Sequence, residues 1–497
     1  MKRLLNTAGI ICLLFLRSNC CDAQGICFGT TFGGPSQDIG RCAIQTADGK
    51  YVATGPTSSF GAGSSDIWLV KTDLNGFPRW TRTFGGSGVD WGNSVLESKA
   101  DSGLVICGYT DSFGNGGYDM YLIKTDSTGI RQWSKTYGGS NWDFGYMVQQ
   151  TSDGGYILAG GTYSYGAGDE DVYLVKTNAL GDTLWTRHYG GTKQDEGRSV
   201  KEIPGGGYII AGFTKSFGDT AGDAYIIRTK ANGDTIWTRH VGGTYADDAH
   251  DIIQVSDSSF YFVGSTRSYG TGTDQGIYLG HLSPAGSLIW TIHTGGTSPD
   301  RGESLLEQDA NTLALFGSTQ SYGFGAGTWD MWMTLTDKYG NYMPGGNTFG
   351  DPHNASDEEG YSIFRTKDKG YLLCGYSTGF MTNGIPDFFL VRTDSMGHNV
   401  PLIAGIQNLV KPEQAGIKSF PNPCSDITTL SFDQSFGKAR IRLFSTEGKD
   451  VSRFVTTKPG GESELQLSFN RSELPPGIYF YEVMTNSENL RGKIILQ

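Results

Sequence analysis

A repeat constrains this chain more than any other feature. An aromatic residue inside an apolar run, preceded two positions earlier by Asp and in its fullest form followed by Lys/Arg-Thr-Asp, recurs along the sequence. The copies are Asp66-Ile67-Trp68, Asp119-Met120-Tyr121, Asp171-Val172-Tyr173, Asp223-Ala224-Tyr225, Gly276-Ile277-Tyr278, Asp330-Met331-Trp332 and Asp387-Phe388-Phe389. From Trp68 to Phe389 the aromatic steps are 53, 52, 52, 53, 54 and 57 residues. Such a period, filled with short β-branched runs and glycine turns, marks an array of small sheets.

Each unit has the same internal order. In the unit opening at Gly190-Gly191, Asp195 and Gly197 precede a strand around Val200. The turn Gly205-Gly206-Gly207 leads into Tyr208 to Ala211, and a glycine-rich loop from Phe213 to Gly222 leads to the Asp223 strand and a last strand around Trp237. Four strands in each of seven units predict 28 strands. A lone sheet of four strands cannot cover both its faces, so units stack, and a ring leaves no terminal face bare. The chain ends agree with a ring. Trp80, Trp133, Trp185, Trp237 and Trp290 mark the fourth strand of five units, the sixth is degenerate near Asn341 to Gly350, and the seventh has none. Phe28 to Phe32 precede Gly33-Gly34 as the Trp strands precede their own Gly pairs, so this segment is expected to complete the last sheet and close its open edge. The expected fold is all-β: a seven-bladed β-propeller closed by the N-terminal strand over 24–397. The Gly-Gly loops and the Thr-x-Ser-aromatic-Gly loops then share one rim, and the short hairpins occupy the other.

The first residues, Lys2 and Arg3 followed by an apolar run from Leu4 to Leu16 and small residues near Ala23, read as a secretory signal peptide over 1–23. The run is too short to span a bilayer, and no later segment approaches the required length. Cys27, Cys42, Cys107, Cys374 and Cys424 remain after it, an odd set that does not recur with the repeat and lacks close metal-ligand spacing, so buried thiols are expected. Formal net charge is −12, and Lys and Arg are scattered, which argues against a nucleic-acid partner.

The units resemble extracellular bacterial β-propeller repeat families with Asp-Gly-Gly-Tyr turns, such as Asp153-Gly154-Gly155-Tyr156; the likeness covers roughly residues 28 to 397 and bears on fold. Beyond it lie a linker over 398–417 and a tail over 418–497 of short alternating strands broken by Gly and Pro. The tail carries Pro421, Asn422 and Pro423, then Gly448, then Gly477, Tyr479 and a closing Lys493. With these residues it resembles the C-terminal sorting domain of the type IX secretion system of Bacteroidetes. That resemblance implies a small Ig-like β-sandwich, export by the type IX secretion machinery, and removal on release or on attachment to surface lipopolysaccharide.

Two residue series are candidates for a site. An aromatic residue recurs in the rim loops as Phe60, Phe113, Tyr165, Phe217, Tyr269, Tyr322 and Phe380, suited to stacking on a glycan or gripping a protein ligand, or else to packing between neighbouring units. Asp38, Asp90, Asp143, Asp195, Asp247 and Asp300 precede the innermost strand and either ring the axis as cation ligands or cap turns. His250, beside Asp247, Asp248 and Asp251, breaks the pattern. Without a His-Glu-x-x-His or Gly-x-Ser-x-Gly motif, no catalytic residue, metal or cofactor is assigned. The expected function is a non-catalytic binding module on the cell surface or in the medium. The alternatives are a glycan hydrolase or lyase acting around His250 and Asp300, and a rigid spacer.

Overall fold

The computed structural model describes residues 27–269, 275–324, 327–351, 355–380 and 384–399, and in the tail 417–420, 426–432, 440–445, 449–461, 464–470, 472–475, 477–484 and 489–496. The expected signal peptide, most of the linker, and Pro421, Asn422, Pro423, Cys424 and Gly448 lie outside the described residues. The chain divides into two compact units, Met1–Pro401 and Leu402–Gln497.

Within the first unit the described residues form seven four-stranded antiparallel sheets. The third shows why the sequence folds this way. Its strands are Asp143–Gln150, Tyr156–Thr162, Asp171–Thr177 and Thr183–Tyr189, paired in chain order. The second and third strands are buried at every position and read as continuous apolar runs, because both faces lie against neighbouring sheets. In the fourth strand exposed and half-buried positions alternate from Leu184 on, and no residue is fully buried. The seventh sheet is assembled from both ends of the unit. Its own Glu358–Arg365, Tyr371–Ser377 and Asp387–Thr393 are joined by Phe28–Phe32, with Thr31 opposite Phe389. Phe32 stacks on Phe388 at 5.5 Å and meets Trp68 of the first sheet edge-on at 5.9 Å.

The first strands of successive sheets lie against one another, and the series returns on itself: the first strand of the seventh sheet contacts that of the first. At that contact the Arg41 guanidinium covers the Tyr361 ring at 4.1 Å, and the Ala43 N–H donates to Ser362 Oγ at 3.1 Å. The outer edges lock differently. Each Trp of a fourth strand lies over the hairpin glycine of the next sheet; at Gly233, with φ +84°, a Cβ would come within 2.9 Å of Trp185 and 2.6 Å of Arg187. Left-handed backbone and close approach together require glycine there.

In the second unit the described residues form two sheets. One orders Ile417–Phe420, Ile427–Phe432, Glu464–Phe469 and Val455–Gly461; the other orders Arg440–Ser445, Gly477–Met484 and Asn489–Leu496. Leu430, Leu465 and Leu467 from the first share one core with Leu443, Tyr479, Val483 and Ile494 from the second, as in face-to-face sheet packing. Tyr479 is buried with its hydroxyl donating to the Pro475 carbonyl at 2.8 Å, and Lys493 pairs along the backbone with Phe480. Among the described residues no helix is long and apolar enough to cross a membrane.

Candidate functional site

The recurring Asp at the start of six first strands is a clamp. Asp195 is fully buried; its Oδ1 accepts the Thr214 hydroxyl, and its Oδ2 accepts the Ser216 hydroxyl at 2.6 Å and the Gly191 N–H at 2.7 Å. Asp38, Asp143, Asp247 and Asp300 repeat this set with their own Thr, Ser and second Gly. Asp90 holds Ser112 and Gly86. In the seventh sheet Glu358 takes the place, accepting from Ser377 and Ser356. These carboxylates cap turns, tying the Gly-Gly loop to the Thr-x-Ser-aromatic loop on one rim. Among the described residues no group of three or more His, Cys, Asp or Glu could hold a metal ion.

The seven loop rings each lean on the aromatic of their own third strand, from Phe60 on Trp68 at 5.0 Å to Tyr322 on Trp332 at 6.0 Å. Phe60, Phe113, Tyr165, Phe217, Tyr269 and Tyr322 keep 36 to 50% of their surface exposed, while Phe380 is half-buried against the core of the sixth and seventh sheets. Tyr165 and Tyr269 also donate their hydroxyls to Gly138 and Gly242 carbonyls at 2.8 Å.

A second set of side chains is brought together by a bulge. In six of the first strands the register slips by one residue, after Gly92, Gly145, Gly197, Ala249, Gly302 and Gly360. The extra residue leaves the ladder there and is re-aimed; the residues so placed are Asn93, Tyr146, Arg198, His250, Glu303 and Tyr361. His250 Nδ1 lies 2.6 Å from Glu303 Oε2, and Nε2 lies 3.2 Å from Asp248 Oδ2, which also meets Arg198 at 3.0 Å. Burial works to lower the His250 pKa, but Asp248 and Glu303 outweigh it and hold it up to about 9, so the ring is an imidazolium at neutral pH. The same contacts with His250 and Arg198 overcome burial at Asp248 and hold its carboxyl well below the usual range. Asp300 is a turn clamp; the acid paired with His250 is Glu303. Deeper, Lys201 and Asp251 pair at 3.1 Å, and both act electrostatically on the Cys42 thiol of the first sheet. Burial pushes that thiol up.

The second and third sheets present rings instead of charges. Tyr109 stacks on Trp91 at 5.9 Å and meets Phe144 edge-on at 5.1 Å; Tyr118 meets Tyr109 and Phe144 at 5.3 and 5.5 Å. Trp142 is braced by Tyr118 at 6.2 Å and Tyr163 at 5.9 Å, yet is 53% exposed. Glu170 lies behind them, buried, with Oε2 accepting from Tyr163 at 3.1 Å and Gln194 at 3.2 Å; burial and Glu196 push it up to about 7. This cluster departs from the repeat. Where Trp142 stands the other units have Gln37, Val89, Gln194, Ala246, Pro299 and Asp357, and where Tyr163 stands they have Ser58, Asp111, Lys215, Arg267, Gln320 and Thr378.

The described architecture is that of an all-β repeat protein with a separate two-sheet tail, and residues 418–497 match the family described as the secretion system C-terminal sorting domain. The chain is therefore an exported protein, directed to the cell surface or the medium by that domain, which engages the type IX secretion machinery. The chain is also similar to the regulatory protein FlaEY of Caulobacter vibrioides, 27% identical over 253 residues, which is 45% of this chain and 26% of that protein. The match thus spans about a quarter of that relative's length.

Proposed function

We propose that residues 24–397 are a closed seven-bladed β-propeller completed by Phe28–Phe32, and that this ring is a non-catalytic binding module. On this reading 1–23 is removed as a signal peptide, 398–417 is a linker, and 418–497 is an Ig-like sorting domain, cut off on release or on attachment to surface lipopolysaccharide. The return of the first-strand contacts from the seventh sheet to the first supports the ring.

The observation that carries the binding role is the aromatic cluster around Trp142, built at positions the other units fill otherwise. Residues shared by every unit hold the fold, whereas a one-sided departure that leaves the Trp142 ring exposed on half-buried neighbours serves a ligand, a glycan or a protein. The charged groups of the later first strands are spent on one another: His250 lies between two carboxylates and, held as an imidazolium, has no lone pair to act as a base. The seven loop rings, each with one face committed to its sheet, serve as outer contacts of a larger ligand.

Glu170 favours a second reading, a glycan hydrolase or lyase, since a carboxyl held near neutrality beside aromatic rings is suited to proton donation. Its 3% exposure counts against that role. Titrating the secreted protein against glycan and peptide arrays, with and without calcium, tests both. Saturable, calcium-independent binding without turnover is expected. Turnover abolished by Glu170→Gln would replace the binding module with the enzyme, and the absence of any ligand would favour a spacer.

A further inference from the structure

We infer that the rings around Trp142 form a platform for a neutral pyranose glycan, an assignment that rests on the propeller being a binding module and specifies where and what it binds. Trp142 is laid over Gly117, where a Cβ would stand 2.1 Å from the indole Cδ1, and its two tyrosine braces meet it at 74° and 59°. The indole is thereby fixed, with more than half of its surface in solvent. A rigid apolar face of this kind is costly to hydrate and is relieved by a flat partner with apolar C–H groups, which a pyranose supplies.

Sugar hydroxyls also need planar donors and acceptors at the border. Asn141 is exposed beside Trp142, its amide donating to the Tyr163 carbonyl at 3.0 Å. Asp111 acts on Tyr118, and the Arg41 guanidinium sits 5.8 Å over Trp91. Neutrality of the ligand follows from charge. The ionised groups of the first strands pair off, Arg198 with Glu196 and Asp248, Lys201 with Asp251 and Arg301 with Glu359, and the two at the border, Arg41 and Asp111, carry opposite signs, so little net field is left to draw a phosphate, a uronate or a cation. A peptide would instead be gripped by side-chain pockets. Here the rings close on one another at centroid distances of 5.1 to 6.4 Å, which makes a surface to lie on.

The test uses the full secreted protein on immobilised neutral oligosaccharides, uronate-bearing oligosaccharides and a peptide array, comparing wild type with Trp142→Ala, Gly117→Val and, as a control, Ile236→Ala on the exposed fourth strand of the fourth sheet. Neutral glycans are expected to bind wild type and the control alike, and Trp142→Ala and Gly117→Val about tenfold or more weakly, with melting temperatures of Trp142→Ala and wild type matching. Neutral-glycan binding that survives Trp142→Ala overturns the assignment. Binding confined to uronates or peptides overturns it too while leaving the binding module standing, and silence on every surface overturns both.

Discussion

Replacing Asp195 by Ala removes the clamp that joins two rim loops, and its cost follows from what the carboxylate holds. Thr214 is fully buried, so its hydroxyl loses its partner without gaining water; Ser216 and Gly191 are half-buried and recover part of their loss. Hydrogen bonds to a charged acceptor are worth about 1.5–3 kcal/mol each. With two of the three donors partly rehydrated, the expected destabilisation is about 3–5 kcal/mol. Asp195→Asn is the sharper variant. The amide keeps one acceptor oxygen but points its own N–H groups at the donors that Oδ2 now satisfies, so it should still cost about 2–3 kcal/mol. Urea unfolding followed by tryptophan fluorescence measures both, and a cycle with Thr214→Val should show a coupling of about 1–3 kcal/mol. Asp195→Asn as stable as wild type would refute the clamp, because it would mean that the three donors do not need a fully accepting partner.

Two further predictions concern pH and glycine. Asp330 and Asp387 are pushed up to about 7 and about 6, mainly by burial and then by neighbouring carboxylates. The folded state therefore binds these protons more tightly than the unfolded chain, and stability falls as pH rises from about 4 towards 7. His250 adds stability that is complete below about 6.5 and is lost as pH rises through about 9. The melting temperature should thus peak on the acid side of neutrality, and Asp330→Asn should stabilise the protein at pH 8 by roughly 1–3 kcal/mol but not at pH 4.5; an equal effect at both pH values would contradict the assignment. Gly154 and Gly233 both have φ near +85°, but only Gly233 is covered by Arg187 and Trp185. In urea titrations Gly154→Ala should cost about 1 kcal/mol of backbone strain and Gly233→Ala clearly more.

The fold was legible because the repeat is written in residues every sheet needs. The Asp of the clamp, the paired glycines beside it and the third-strand aromatic recur for packing reasons, and the unpaired Phe28 to Phe32 pointed to the seventh sheet, where the structure pairs them with Asp387–Thr393. The cap reading of the Asp series was likewise available from its spacing to Thr and Ser. The site was hidden by the same logic. A search for what recurs discards Trp142, Tyr163 and Glu170, which matter because their units differ from the rest. His250 stood out as an anomaly, but Glu303 lies 53 residues away and meets it only because a bulge in each first strand turns both side chains out of the ladder. Comparing the units column by column for differences is the signal that finds such residues.

Amide hydrogen exchange across Phe28–Phe32 in the secreted protein tests the ring most directly. If this segment is the outer strand of the seventh sheet, its paired amides exchange as slowly as those of the other outer strands, such as Thr235–Val241. Exchange at the rate of an unstructured chain would leave the last sheet one strand short and the ring open.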